Sequence, residues 1–157
     1  MTTIASRLSD WPERLARLLR IYLWVVMGGL FLQGLISLFL RLSPSLAAIT
    51  PPIIRGIALG SVPHAWLHIV WGAAGLLALA LIRPPAPRAP QAAIALGLIF
   101  GVFYTLLALY GTLIGSPLNL NLVPSENAFH VIVGPLTLGV TLVVLLVERL
   151  TSHGAGT

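Results

Sequence analysis

The sequence predicts an all-α polytopic membrane protein, a single-domain bundle of four transmembrane helices. Three observations lead there. The 157-residue chain is 57% hydrophobic and 8% charged, with a mean hydropathy of +0.98, whereas a soluble domain carries roughly 25% charged residues. Four apolar stretches, residues 21–40, 61–82, 91–113 and 127–147, each reach the ~20 residues that cross a ~30 Å hydrocarbon core. Charged residues gather between and outside those stretches.

Composition also removes whole classes of chemistry. There is no cysteine, which excludes disulfides, iron–sulfur clusters and thiolate catalysis. The net charge of +5 comes from nine arginines and no lysine. Those arginines sit at the ends of apolar runs, where they anchor helices against a lipid bilayer, so no nucleic-acid partner is expected. No phosphate loop, dinucleotide fingerprint or Gly-x-Ser-x-Gly element is present.

Residues 1–20 carry Arg7, Arg14, Arg17 and Arg20, with Leu8, Trp11, Leu15, Leu18 and Leu19 at near-helical spacing. This predicts an N-terminal amphipathic interfacial helix that runs into the first span. A secretory signal peptide is rejected, because ~20 apolar residues follow where such a signal has ~7–15, and no small-x-small cleavage site stands out. In the first span, 21–40, Gln33 is the one strongly polar side chain, and Gly28, Gly29 and Gly34 suit close helix approach. Residues 41–60 read as a loop with Ser43-Pro44, Thr50-Pro51-Pro52 and Arg55. Its apolar part, 53–59, is too short to span and is expected at the interface as a short helix.

Ser61 is placed to cap the second span, 61–82, with Pro63 in its first turn. Four prolines between Arg83 and Pro90 end it, since proline cannot continue a helix. The third span, 91–113, holds Gly97 and Gly101 as a Gly-x-x-x-Gly pair and hydroxyls at Tyr104, Thr105 and Tyr110. A loop with Ser116-Pro117, Asn119, Asn121 and Pro124 leads to the fourth span, 127–147, for which Ser125 is the expected cap. Pro135 falls in its interior, where a kink or a freed carbonyl is expected. Residues 148–157 form a polar tail.

Arginine counting sets the topology. Arg7, Arg14, Arg17, Arg20, Arg83, Arg88 and Arg149 fall on the side of the termini, against Arg41 and Arg55 on the other. Positive residues prefer the cytoplasmic side, which predicts both termini inside a bacterial inner membrane.

The two halves of the chain echo one another. His68-x-x-x-Gly72 lies over His130-x-x-x-Gly134, and Gly29-Leu30-Phe31 over Gly101-Val102-Phe103. A 2+2 helical-hairpin repeat of parallel type is therefore expected, with His68 and His130 at one depth near the outer surface. His64 and His68 are four apart and share a helix face, as do Glu126 and His130. Two ligand readings follow. His64, His68, His130 and Glu126 are candidates for a metal such as zinc or copper, for which neutral imidazole is a common ligand. His68 and His130 alone are candidates for axial ligation of a haem b, or one of them for the magnesium of a pigment. The bland alternative is that the histidines are interhelical glue, worth roughly 0.6 kcal/mol each, with Trp66 and Trp71 in an interfacial aromatic belt.

Asn127-Ala128-Phe129-His130-Val131-Ile132-Val133-Gly134 and Gly101-Val102-Phe103-Tyr104 through Gly111 resemble a family of small bacterial four-helix membrane proteins classed as a domain of unknown function, common in actinobacteria and relatives. The resemblance covers about residues 21–147 and implies paired helical hairpins. It implies no activity, substrate or cofactor. The first half departs from the pattern, with Ala65 where Asn127 stands in the second and with His64 added.

The preferred expectation is a non-enzymatic accessory or scaffold subunit that packs against other integral membrane proteins or against itself. Electron transfer through a haem at His68 and His130 is the competing class. A transporter would need a polar path through the midplane, and Gln33, Tyr104, Thr105, Thr137 and Thr141 are too few to build one.

Overall fold

In the computed structural model of the protein, residues 11–58, 61–82, 84, 89–115, 120, 122 and 124–154 are described, with backbone alone for 57, 58, 124–126 and 152–154. Six helices make up the described chain: α1 (Trp11–Leu42), α2 (Pro44–Ile49), α3 (Pro52–Ala58), α4 (Val62–Leu81), α5 (Ala89–Ile114) and α6 (Pro124–Gly154). No strand occurs among the described residues. The four long helices are each long and apolar enough to cross a membrane, and the fold is an all-α four-helix membrane bundle.

Each span forms where the sequence places it, with differences at the ends. Residues 11–20 do not form a separate helix; they are the first turns of α1, with Ala16 and Leu19 already buried. Residues 1–10, the rest of the expected amphipathic segment, lie outside the described residues. The loop after the first span holds two short helices, α2 and α3, where one was expected. The fourth helix starts at Pro124, so Ser125 lies within its first turn, and it runs on through Pro135 to Gly154. Pro135 is exposed on the helix surface.

Helix packing follows the spacing of small and apolar residues. The buried positions of α1 are 16, 19, 23, 27, 30, 34, 37 and 40, and those of α6 include 130, 134, 137, 141 and 144. Steps of three and four residues lay one seam along each helix, as in a knobs-into-holes bundle. The other faces carry exposed Val25, Leu32, Ile99 and Val143, as a surface solvated by lipid requires. The most extensive pairings are α1 with α4 and α5 with α6, giving two antiparallel hairpins. Helices α1 and α5 touch both neighbours and each other. Helices α4 and α6 lie across from one another and meet through side chains.

Glycines set the spacing within each hairpin. A Cβ on Gly72 would stand 2.6 Å from the Phe31 backbone nitrogen, and one on Gly134 would stand 2.5 Å from that of Thr105. These are contacts with fixed backbone, so only glycine fits. The two glycines of the His-x-x-x-Gly segments thus do the same work, each seating its helix on the first helix of its hairpin.

At the end of the bundle where α1 begins and α6 finishes, Arg20 donates from Nη1 to the Ile82 carbonyl at 2.7 Å and from Nη2 to the Leu79 carbonyl. A guanidinium there satisfies carbonyls that the end of α4 leaves open and meets the negative end of its dipole. The opposite, cap end carries α2, α3, Leu120 and Leu122. There Ser61 caps α4 as expected, accepting from the His64 backbone N–H at 3.2 Å, while its hydroxyl donates to the Leu120 carbonyl at 2.5 Å.

Gly134→Val is expected to lower the thermal midpoint of the protein in detergent, at a cost of about 1–3 kcal/mol for overpacking. Gly29→Ala, whose Cβ would meet nothing within 4 Å, is expected to leave it unchanged. Circular dichroism melts of the two variants check both outcomes.

Candidate metal centre

The site lies in one layer near the cap end. His68 and His130 are each six residues into their helices, α4 and α6, which puts both about 9 Å from the helix start at 1.5 Å per residue. His64 stands one turn nearer the end of α4. All three are buried, with His64 at 1%, His68 at 3% and His130 at 0% exposure.

Their rings converge. His130 Nε2 lies 3.2 Å from His64 Nε2 and 3.4 Å from His68 Nε2. One ligand atom from each of the three residues lies within 4.8 Å of the others. The rings meet edge to face, with centroids 4.2 Å apart for His64 and His68 and 5.1 Å for His64 and His130.

The other two long helices complete the layer. Gln33 of α1 faces His68, its Oε1 against His68 Nδ1. With the carboxamide oxygen as acceptor, His68 carries its proton on Nδ1 and turns a bare Nε2 lone pair toward His64 and His130. Tyr104 of α5 is fully buried and packs its ring against His130 at 5.1 Å and His68 at 6.1 Å between centroids. Phe100 stacks on Tyr104 from the other side at 4.3 Å. Trp71 is half-buried against Phe100 and Phe103; it belongs to this aromatic packing and not to an interfacial belt. Trp66 is exposed, as a belt residue would be.

With His68 protonated on Nδ1, His130 Nε2 cannot make a full hydrogen bond to both His64 and His68. If His130 Nε2 carries a proton, His64 and His68 must share it. If it carries none, its lone pair confronts that of His68. Neither arrangement gives both nitrogen–nitrogen contacts a full hydrogen bond. Two further buried atoms, His130 Nδ1 and Tyr104 Oη, have no hydrogen-bond partner. Unmet polar groups of this kind cost about 1–3 kcal/mol each; Ser37 Oγ and Asn127 Oδ1 are two more among the described residues.

Of the sequence-derived candidates, His64, His68 and His130 are brought together. Glu126 occupies the first turn of α6, but its side chain lies outside the described residues. Sequence reasoning noted Gln33 and Tyr104 only as polar groups within spans. Their place in the layer depends on helix rotation, and the one signal available was that Gln33 stands alone among apolar neighbours. Elsewhere the polar core is small: Tyr22 Oη donates to Thr137 Oγ1 at 2.7 Å, whose own proton goes to the Val133 carbonyl at 2.7 Å. No family model, curated protein or solved structure matches the chain.

In protein stripped of metal, Tyr104→Phe is expected to leave stability unchanged or raise it by up to about 1 kcal/mol, because the hydroxyl it removes has no partner to lose. Thermal melts in the presence of a strong chelator check this.

Proposed function

We propose that this is a multi-pass membrane protein that binds one transition-metal ion through His64, His68 and His130. The observation that carries the reading is the pair of Nε2–Nε2 distances, 3.2 and 3.4 Å, at His130. Ligands about 2.0–2.1 Å from a tetrahedral zinc stand about 3.3–3.4 Å from each other. Two of the three imidazole separations thus match ligand spacing, all three ligand atoms lie within 4.8 Å of one another, and a cation between them would accept the lone pairs that face one another. The Gln33–His68 contact supports it too, since ligating histidines characteristically donate their second N–H to an oxygen that fixes the tautomer. All-imidazole donors suit zinc or copper. A third-ligand set of this type leaves a coordination position for water or another group, with Tyr104 beside it.

The same geometry argues against a haem between His68 and His130. Axial imidazoles need a macrocycle between them and open space around its rim. Here His64 and Tyr104 fill the ground beside the two rings.

The arginine distribution supports an orientation with both termini in the cytoplasm of a bacterium and the cap end outside. The metal layer then lies toward the outer leaflet. The near-equivalence of Gly72 and Gly134 supports an origin of the two hairpins by duplication, with His64 as an addition of the first.

Full-length protein in mild detergent, stripped with chelator and titrated with Zn(II) or with Co(II) as an optical probe, is expected to bind one metal per chain. His68→Ala and His130→Ala are expected to abolish binding, and Gln33→Leu to weaken it about 10–100-fold. Equal binding by the histidine variants, or none by the wild type, would leave the histidines as interhelical glue in an accessory subunit. A Soret band in protein from native membranes, lost on His68→Ala, would reinstate the haem.

A further inference from the structure

The histidine layer is closed toward α1 and α5 by groups that cannot move. Between α1 and α4, a Cβ on Gly34 would stand 2.6 Å from the Ala65 carbonyl oxygen. Between α5 and α6, a Cβ on Gly134 would stand 2.6 Å from the Tyr104 carbonyl carbon. Backbone shuts both seams. Tyr104 and Phe100 are fully buried and their rings stack at 4.3 Å, so neither can swing without displacing close-packed neighbours. Phe129 is different. Its ring centroid lies 6.2 Å from that of His68 and 5.9 Å from that of His130. It is nevertheless 40% exposed, while His68 and His130 behind it are 3% and 0% exposed. The ring bridges α6 to α4, the two long helices with the least backbone contact. On this side a single aromatic ring separates the two imidazoles from the surroundings of the bundle.

We propose that Phe129 is the door of the histidine site: rotation of its ring away from His68 and His130 opens a way between α4 and α6, and a metal ion enters and leaves there. The inference rests on the metal reading above. Exposed side chains change rotamer on the picosecond to nanosecond scale, and this ring can swing outward without any helix moving. The door acts on rates and not on the ligand set. His64, His68 and His130 hold the ion, and removing the Phe129 ring speeds entry and exit together, so the equilibrium hardly changes. Trp66 supplies the comparison. It is two residues from both His64 and His68, which puts it on the opposite face of α4, and it is 52% exposed.

The test loads full-length protein in mild detergent with Co(II) and follows its removal by 1,10-phenanthroline, a neutral chelator that dissolves in the micelle. A second arm treats metal-free protein with diethyl pyrocarbonate and follows modification of His68 and His130 by mass spectrometry, a readout that needs no bound metal. Phe129→Ala is expected to speed Co(II) release and histidine modification about tenfold each, with Co(II) affinity within about threefold of the wild type and an unchanged helical spectrum. Phe129→Trp is expected to slow both, and Trp66→Ala to alter neither. Wild-type rates in Phe129→Ala with Co(II) still bound would overturn the door and leave the metal site standing. Equal acceleration by Trp66→Ala, or faster release matched by an equal loss of affinity, would make Phe129 a packing residue and also overturn it. Wild-type protein that binds no Co(II) would remove the metal reading, and the modification rates alone would then decide whether Phe129 guards the histidines.

Discussion

An apolar bundle tolerates a polar nitrogen only when something answers it, and that constraint governs one layer of this molecule. His64 and His68 on α4, His130 on α6, Gln33 on α1 and Tyr104 on α5 all enter it. Every long helix therefore contributes at least one polar side chain to this layer, and α4 contributes two. A shift of one residue turns a helix face by about 100°, which would carry any of these groups from the core to lipid. Hydrophobic contact cannot supply such precision, because lipid chains are as apolar as leucine and many rotations bury equal area. The polar layer fixes the rotation of all four helices at once.

The glycines one turn below make that layer reachable. Gly72 seats α4 on α1, and Gly134 seats α6 on α5, each at backbone contact. The two hairpins become rigid pairs, and what remains is to join them. Helices α1 and α5 do so by direct packing. Helices α4 and α6 have little backbone proximity, and the imidazoles span the distance between them. The histidines thus brace the bundle whether or not a cation sits among them, and the metal reading adds to that role instead of replacing it. A brace alone would be better served by two complementary partners, such as a carboxamide and a hydroxyl, than by three imidazoles whose ring nitrogens face one another.

The four spans were legible because length and apolarity decide a transmembrane helix almost alone. Ser61 was legible as a cap because its hydroxyl has a local job, set by the three residues that follow. The common level of His68 and His130 was legible from the match between the two halves. The convergence of the rings was not, since facing depends on how α4 and α6 rotate toward one another across the bundle. His64 looked like a departure from the repeat and proved to be the third member of the cluster. Tyr104 gave no signal, because an aromatic hydroxyl in a span reads equally as packing. Helix α2 escaped notice because six residues carry no periodicity, and the join at residues 20 and 21 looked like a boundary because arginines on one face masked a seam that Ala16 and Leu19 continue on the other.

The depth of the site bears on what it can hold. Three neutral imidazoles bring no charge, and a dication among them would keep its full charge in an apolar surrounding. The cost of burying an ion is several kcal/mol even after relaxation, and it grows with the square of the charge. A midplane position would make that cost greatest. His68 and His130 stand about 9 Å from the helix starts, so an ion held between them would lie well short of the midplane. A second feature bears on the same question: Tyr104 packs against two of the three histidines, so its phenol would stand beside any ion held there. A monovalent ion would carry a smaller burial cost. For a metal held by these histidines, the choice is therefore a question of charge before it is one of ligand type, since neutral imidazole nitrogens suit zinc and copper alike.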